Sequence, residues 1–516
     1  MTGNSPLPID LFRAIVAAHG EKPALWFEGR ETAYAELEAR SNQCAHALIA
    51  AGVEPGDRVA VMAKNNDEFF VLFLGAIKAR ACLTPINWRL AVPEIAFVLK
   101  DSGAKLVVHS GEYARAVGAA SQECEPQPVL IAFDGPAPAF AEWIANFPDS
   151  PPAIRPHADD DLIQLYTSGT TGFPKGVQLS HANYSAFLES VFSAGWAKWD
   201  AGKTSLVASP LFHVAGVNVG LVSLVQGVRA VLLRDPDPAL LVKTIAEQRV
   251  AYVFLVPTLI NMMLQSDGCA LADFSALERV FYGASPISED VLTRALARFQ
   301  CRFSQLYGLT ETTGGGTELA HEDHKGELLR SCGRANPNVE VRIADADGRE
   351  APVGEVGEIQ IRAKTVMRGY WNRSDATASA IDDAGWFRTG DAGFANADGY
   401  IFIHDRMKDM IVSGGENIYP AEVENAIFGH PAVADAAVIG VPDEKWGEAV
   451  KAIVVLKPGA EADADAIIAY ARARIAGYKA PKSVDFADTL PRNPSGKVLR
   501  RNLRERYWKD HDRRVA

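Results

Sequence analysis

Residues 165–181 read LYTSGTTGFPKGVQLSH, placing Thr167, Ser168, Thr170 and Thr171 around Gly169 and Gly172, with Lys175 and Gly176 just beyond. Hydroxyls, unhindered backbone N–H groups and one ammonium in so short a run suit an anion. Glycine lets the main chain approach closely, and successive N–H groups form a concavity for negative charge. Ser, Thr, Gly and Pro also build ordinary surface turns. The flanks favour the anion, because residues 162–167 and 176–180 read as short half-buried strands and a loop between two rigid elements is a good place to bind. It is not a Walker A loop, which needs Gly directly before Lys, then Ser or Thr and a helix. Here Pro174 precedes Lys175 and Gly176 follows it.

Four more stretches carry groups of the same kind. QLYGLTE at 305–311 ends a strand in Thr310 and Glu311, followed by Gly314, Gly315 and Gly316. WFRTGD at 386–391 places the Asp391 carboxylate after a turn, DRMKD spans 405–409, and PRNPSGK at 491–497 sets Lys497 behind a glycine turn. Taken singly, each has a plain explanation: a helix cap, a turn former, half of a surface ion pair, a solvated lysine. Their joint occurrence, in this order, argues for one site.

Such groups need elements to hold them. Residues 34–49 carry apolar side chains at helical spacing, Gly52 and Gly56 punctuate, and RVAVM at 58–62 is a buried strand. Residues 69–79 repeat the helix and 104–109 the strand, with further strands expected at 205–209, 229–233, 252–256 and 279–282. This alternation predicts an α/β fold of layered, largely parallel sheets. From about Gly333 short strands with Gly and Asp turns (GEVGEIQIRA, NADGYIFIHD) predict an antiparallel, barrel-like β region. A boundary is expected at 404–408, dividing a large domain, 1–404, from a small mobile α+β domain, 405–516, with a helix over 464–476 capped by Asp463. The proline-rich stretch 134–156 reads as a surface connection.

Composition narrows the function. A chain of 516 residues exceeds one core, and 48% hydrophobic with 22% charged residues is usual for a globular enzyme. A net charge of −12 argues against a nucleic-acid binder, which needs a basic face. Residues 497–514 are the basic exception, able to meet a polyanionic cofactor or an anionic membrane weakly, or to be a solvated helix face. The six cysteines lie far apart without metal-ligand spacing, as expected of reduced thiols in a cytoplasmic protein. Neither a signal peptide nor a membrane-crossing run is expected.

Together these stretches resemble the adenylate-forming superfamily of acyl-CoA synthetases, aryl-CoA ligases, firefly luciferase and nonribosomal adenylation domains, over nearly the whole chain from Tyr34 to Lys497. The resemblance implies ATP, Mg2+ and coenzyme A as cofactors, and two half-reactions: carboxylate plus MgATP to acyl-AMP and pyrophosphate, then displacement of AMP by a thiol. It makes Thr167, Ser168, Gly169, Thr170, Thr171, Gly172 and Lys175 the loop that holds the β and γ phosphates. Gly283, Ala284 and Ser285 would wall the adenine, on which Tyr307 stacks beside Gly308; Thr310 would touch the α-phosphate and Glu311 ligate Mg2+. Asp391 would accept from the ribose hydroxyls with Arg406 helping, and Lys497 would bridge the carboxylate and the α-phosphate. Lys408 matches the hinge about which the small domain turns, bringing the SGGEN loop with Gly414 and Gly415 to the pantetheine.

Phe212, His213, Val214 and Gly216, with Gly314, Gly315 and Gly316 opposite, match the acyl pocket, His213 as an aromatic wall more than a base. Val214 to Val217 offer no carboxylate for an amino-acid ammonium, and Leu306 stands where malonate-type ligases often place an arginine. An uncharged acyl or aryl group is expected, with glycines leaving room for a chain. MKDMIVSGGENIYPAEVE is most similar to bacterial fatty acyl-CoA synthetases and related aryl-CoA ligases. A feruloyl- or coumarate-type ligase, an acyl-AMP ligase loading a carrier protein and a luciferase-like enzyme are the alternatives. The oligomeric state stays open, a homodimer being one reading.

Overall fold

Runs rich in Val, Leu and Ile, each followed by an amphipathic helix, can bury both faces only by layering, and they do so here. The computed structural model describes residues 5–134, 139–167, 174–285, 287–406, 409–413, 416–443, 445–492 and 497–509. Among these, a nine-stranded sheet runs in the order Arg334–Ala335, Thr317–Leu319, Arg302–Tyr307, Arg279–Gly283, Tyr252–Leu255, Thr204–Val207, Arg229–Leu232, Pro23–Phe27 and Arg30–Ala33. Its six central strands are parallel, as the alternation predicts. A seven-stranded sheet runs Gly369–Tyr370, Lys175–Ser180, Asp161–Thr167, Cys82–Pro85, Arg58–Met62, Leu106–His109 and Val129–Ala132. Helices Tyr34–Ala50, Glu68–Lys78 and Val214–Leu224 belong to one continuous core with strands of both sheets.

Residues 339–406 form a four-stranded antiparallel sheet, Val339–Ala344, Gly357–Ala363, Phe387–Ala395 and Ile401–Arg406. The barrel-like expectation thus resolves into an open sheet whose register shifts at Glu358/Gln360 and Ala392/Gly393, bulges that bend a ladder without closing it. The last sheet joins Glu416–Ile418, Ile411–Ser413, Gly447–Leu456, Val433–Asp443 and Ser483–Phe486 over its own apolar clusters. Its helix Ala464–Arg472 is shorter than expected at the C-terminal end, and the Asp463 side chain caps it by accepting from Ala466 N at 2.8 Å.

One expectation needs correction. Residues 134–156 are more than a surface connection, since Phe140–Ala145 is a helix that buries Phe140 and Ile144. Apolar residues four apart share a helix face, and the Phe140 ring meets Phe133 edge-on at 5.2 Å.

Candidate active site

The opening loop is framed as its flanks predict. Strands Asp161–Thr167 and Lys175–Ser180 pair antiparallel, with Thr167 opposite Lys175 at the loop's base. Ser168, Gly169, Thr170, Thr171 and Gly172 lie outside the described residues. Lys175 extends its ammonium over the ring of Tyr370, 4.7 Å from the centroid. The Tyr370 hydroxyl donates to Glu311 Oε1 at 3.0 Å, so the lysine of the expected phosphate loop and the expected metal ligand meet on one aromatic ring. Tyr370 was invisible to the sequence reading; the Gly369-Tyr370-Trp371 run was its one signal.

Thr310 and Glu311 open a 3-10 turn, Thr310–Thr312, closed by Thr313 in the left-handed region. Met367 N donates to Glu311 O at 2.7 Å and Thr313 Oγ1 to Thr365 O at 2.7 Å, tying this turn to residues 365–367. Glu311 Oε2 has no hydrogen-bond partner among the described residues. One oriented carboxylate fits Mg2+, which is commonly held by one or two carboxylates together with substrate phosphates. No cluster of three His, Cys, Asp or Glu side chains suited to a metal occurs among the described residues.

On the nucleoside side, Gly283 ends its strand beside Leu306, Ala284 turns with φ of 66° and Ser285 follows. The Tyr307 hydroxyl donates to Asp391 Oδ2 at 2.8 Å, bringing the expected adenine and ribose contacts together. Burial, and then the Asp391 charge, holds the Tyr307 phenol well above its ordinary pKa, so it remains a donor. Asp391 does not sit after a turn as expected. It is buried inside strand Phe387–Ala395, paired in register with Arg406. The Arg406 side chain, Lys408, Gly414 and Gly415 lie outside the described residues.

Phe212 and His213 precede helix Val214–Leu224, their rings 4.5 Å apart. His213 Nε2 is shielded and without a hydrogen-bond partner among the described residues, and burial lowers the imidazole pKa to about 4. A neutral ring at working pH suits a wall. The expectation that glycines make room for the acyl group needs correcting at Gly216, Gly314 and Gly316. A Cβ at Gly216 would lie 2.4 Å from Pro210 O, one at Gly316 2.4 Å from Tyr307 O, and one at Gly314 2.8 Å from Asn218 Nδ2. Backbone packing requires glycine at Gly216 and Gly316, and a left-handed φ of 78° favours it at Gly314. A Cβ at Gly315 would meet Thr312 O at 3.4 Å, Thr365 Oγ1 at 3.6 Å and Phe187 Cδ2 at 3.7 Å, all ordinary contacts. Asn218 was also missed: its Nδ2 donates to Thr313 O at 2.8 Å, while Asn218 Oδ1 and Thr365 Oγ1 are buried without partners among the described residues.

His181, at the start of helix His181–Ala194, is buried with Nδ1 unpartnered among the described residues, and its pKa too falls to about 4. In an unfolded chain both rings would take a proton near pH 6.5. Between pH 6.5 and 4 the unfolded state therefore binds protons that the folded state refuses, and stability falls with falling pH. For His181 the loss reaches about 3 kcal/mol by pH 4. Urea unfolding of His181→Phe is expected to show a shallower acid loss than the wild type.

Lys497 is half-buried just beyond the turn 493–496, which lies outside the described residues; Arg492 and Val498 bridge across its base. Arg492 pairs with Asp435 at 2.5 Å and reaches Thr258 Oγ1, on helix Pro257–Gln265 of the large domain, at 3.4 Å.

The family model for AMP-binding enzymes matches residues 12–371, and that for the AMP-binding enzyme C-terminal domain matches residues 422–497. The chain is 40% identical over 500 residues to the fatty acid–[acyl-carrier-protein] ligase ScoC of Streptomyces coeruleorubidus, covering 96% of this chain and 95% of that one. It is 41% identical over 482 residues to the long-chain-fatty-acid–CoA ligase FadD13 of Mycobacterium tuberculosis, covering 92% and 93%. A feruloyl-CoA synthase of Amycolatopsis sp is 40% identical over 483 residues, covering 93% and 94%. Among solved structures, ATP-bound MatB from Rhodopseudomonas palustris superposes with a TM-score of 0.89 at 31% identity, covering 98% of this chain and 99% of that one.

Proposed function

We propose that this chain, which belongs to the family of AMP-binding enzymes and is an AMP-forming acid–CoA ligase, takes a fatty acid as its acid. The acid's carboxylate attacks the α-phosphorus of ATP and expels pyrophosphate, and the CoA thiol then attacks the acyl carbon and expels AMP. In this reading Thr167 and Lys175, with residues 168–172, hold the β and γ phosphates. Tyr307 faces the adenine and Asp391 accepts from the ribose. Thr310 touches the α-phosphate, and Glu311 holds Mg2+, which when bound offsets phosphate charge. Lys497 lies between the carboxylate and the α-phosphate. Division into 1–404 and 405–516, turning about Lys408, would withdraw Lys497 before the thiol enters along the loop of Gly414 and Gly415.

The observation that carries the acid's class is an uncharged acyl wall: a neutral His213, Val214 beside Gly314, and Phe187 beside Gly315. An apolar group is bound there without desolvating a charge. A second reading has its own support, since Asn218 Oδ1 and Thr365 Oγ1, buried without partners among the described residues, suit an aryl acid carrying a hydroxyl. The test is a mass-spectrometric assay with MgATP and a panel of C4 to C18 fatty, cinnamate-type and benzoate-type acids. Each is run with CoA, with a holo acyl carrier protein, or with neither. Best turnover of an aliphatic acid with CoA supports the proposal. Preference for hydroxycinnamates moves the assignment to the second reading, and acyl-AMP that only the carrier protein consumes overturns CoA as the thiol.

Attraction to an anionic membrane through residues 497–514 is slight in this proposal, because Arg500 and Arg504 turn inward. Arg500 pairs with Glu424 at 2.8 Å and Arg504 with Asp409 at 2.8 Å. No helix among the described residues is long and apolar enough to cross a membrane. A cytoplasmic site of action is in keeping with use of ATP and CoA and with six free cysteines, five of them buried.

A further inference from the structure

We propose that Tyr370 is a positioning residue for adenylation, holding the Glu311 carboxylate with its hydroxyl and the Lys175 ammonium with its ring face. The inference rests on the roles proposed above for Glu311 and Lys175. A lysine and a glutamate at the same phosphate group face a physical problem: without the nucleotide they attract each other, and a collapsed ion pair would have to be broken before ATP could bind. Tyr370 offers each a different surface. Its O–H is a donor for Glu311 Oε1 at 3.0 Å, leaving Oε2 for a cation, while the negative face of the ring takes the Lys175 ammonium at 4.7 Å.

The ring can do this only if it is itself fixed, and the surrounding bonds fix it. Gly369 and Tyr370 pair antiparallel with Gln178 and Val177 on the strand that begins at Lys175. Arg368 N donates to Gln178 O at 3.1 Å and Trp371 N to Gly176 O at 2.8 Å. Tyr370 N donates to Thr377 Oγ1 at 2.9 Å. Trp371 is pinned beside it: its Nε1 donates to Asp101 O at 2.9 Å and the Arg58 guanidinium lies 3.4 Å above its ring. Glu311 is gripped twice by one short segment, its carbonyl by Met367 N at 2.7 Å and its carboxylate by Tyr370. The distance from the phosphate-loop strand to the metal ligand is therefore set through a strand pair and one ring, and through no ion pair between them.

The test reads binding, not turnover: calorimetric titration of a non-hydrolysable ATP analogue into full-length protein without acid, at Mg2+ from zero to saturation. Tyr370→Phe keeps the ring face and removes the donor. It is expected to need about tenfold more Mg2+ for half-maximal enhancement of analogue binding, with Mg2+-free affinity within twofold of wild type and thermal unfolding of the ligand-free protein unchanged. Tyr370→Leu is expected to weaken Mg2+-free affinity as well, by about threefold, as Lys175→Met should. Adding Glu311→Gln to Tyr370→Phe should cost no more than Glu311→Gln alone. If Glu311→Gln keeps the Mg2+ enhancement, the metal role of Glu311 fails. If Glu311→Gln loses it while Tyr370→Phe matches wild type, the positioning role of Tyr370 is overturned and that of Glu311 stands.

Discussion

Replacement of Lys497 by alanine is expected to slow formation of acyl-AMP by ~10²–10³-fold while leaving thioester formation from supplied acyl-AMP within a few-fold of wild type. A carboxylate approaching a phosphate brings two anions together, and a cation between them counts for most where charge builds up at phosphorus. A compact ammonium on a long stem suits that place, so Lys497→Arg should recover little of the rate. The structure gives the lysine a suitable mount. On either side of residues 493–496, Arg492 bridges Val498 and Leu499 N donates to Pro491 O at 2.8 Å. Arg492 touches the large domain at Thr258 Oγ1 through a 3.4 Å contact, long for a hydrogen bond. Stopped-flow measurement of pyrophosphate release, set beside CoA consumption from synthetic acyl-AMP, separates the steps. Equal slowing of both would show that Lys497 supports the fold and does not act on the adenylation transition state.

Gly283→Ala is the second large effect, expected to lower the unfolding temperature and weaken ATP binding at least tenfold. A Cβ at this position would stand 2.1 Å from Leu306 O and 3.2 Å from Leu306 C, both backbone atoms that cannot swing aside. Gly283 and Leu306 are register partners on parallel strands, so room comes only by parting them near their C-terminal ends. Overpacking of this kind costs about 1–3 kcal/mol, before lost ladder bonds are counted. The next residue on the displaced strand is Tyr307, whose hydroxyl must stay 2.8 Å from Asp391. A displacement of about 1 Å in a positioning element is enough for a hundredfold loss in a reaction that depends on it. Scanning fluorimetry and ATP titration of the same preparation check both parts; normal ATP affinity in a destabilised variant would remove Gly283 from the nucleotide site.

The sequence by itself determined the layered α/β class, most strand positions and the list of groups that could meet a nucleotide. Those properties are local. Period-2 and period-3.6 burial patterns mark RVAVM at Arg58–Met62 as a strand and Tyr34–Ala50 as a helix whatever lies around them. A loop of hydroxyls, glycines and a lysine likewise states its chemistry in consecutive residues. Where the sequence reading went astray, the deciding partner was distant. Asp391 looked like a turn residue because Gly390 precedes it, yet pairing with strand Ile401–Arg406 draws it into a strand. The glycines at 216, 314 and 316 looked like open space, yet the backbone of Pro210, the side chain of Asn218 and the backbone of Tyr307 fill it.

Tyr370 marks the same limit most clearly. Nothing within ten residues of it in the chain says that its hydroxyl meets Glu311, 59 residues away. That contact exists because the strand Gly369–Tyr370 adds to the edge of the sheet beside Lys175–Ser180, and edge pairing is a choice made by the whole fold. Residue types and their order named candidate contacts for the reactants, but which side chains share an ångström-scale site was decided by the tertiary structure, because hydrogen bonds and steric exclusion act across space and leave no period in the sequence.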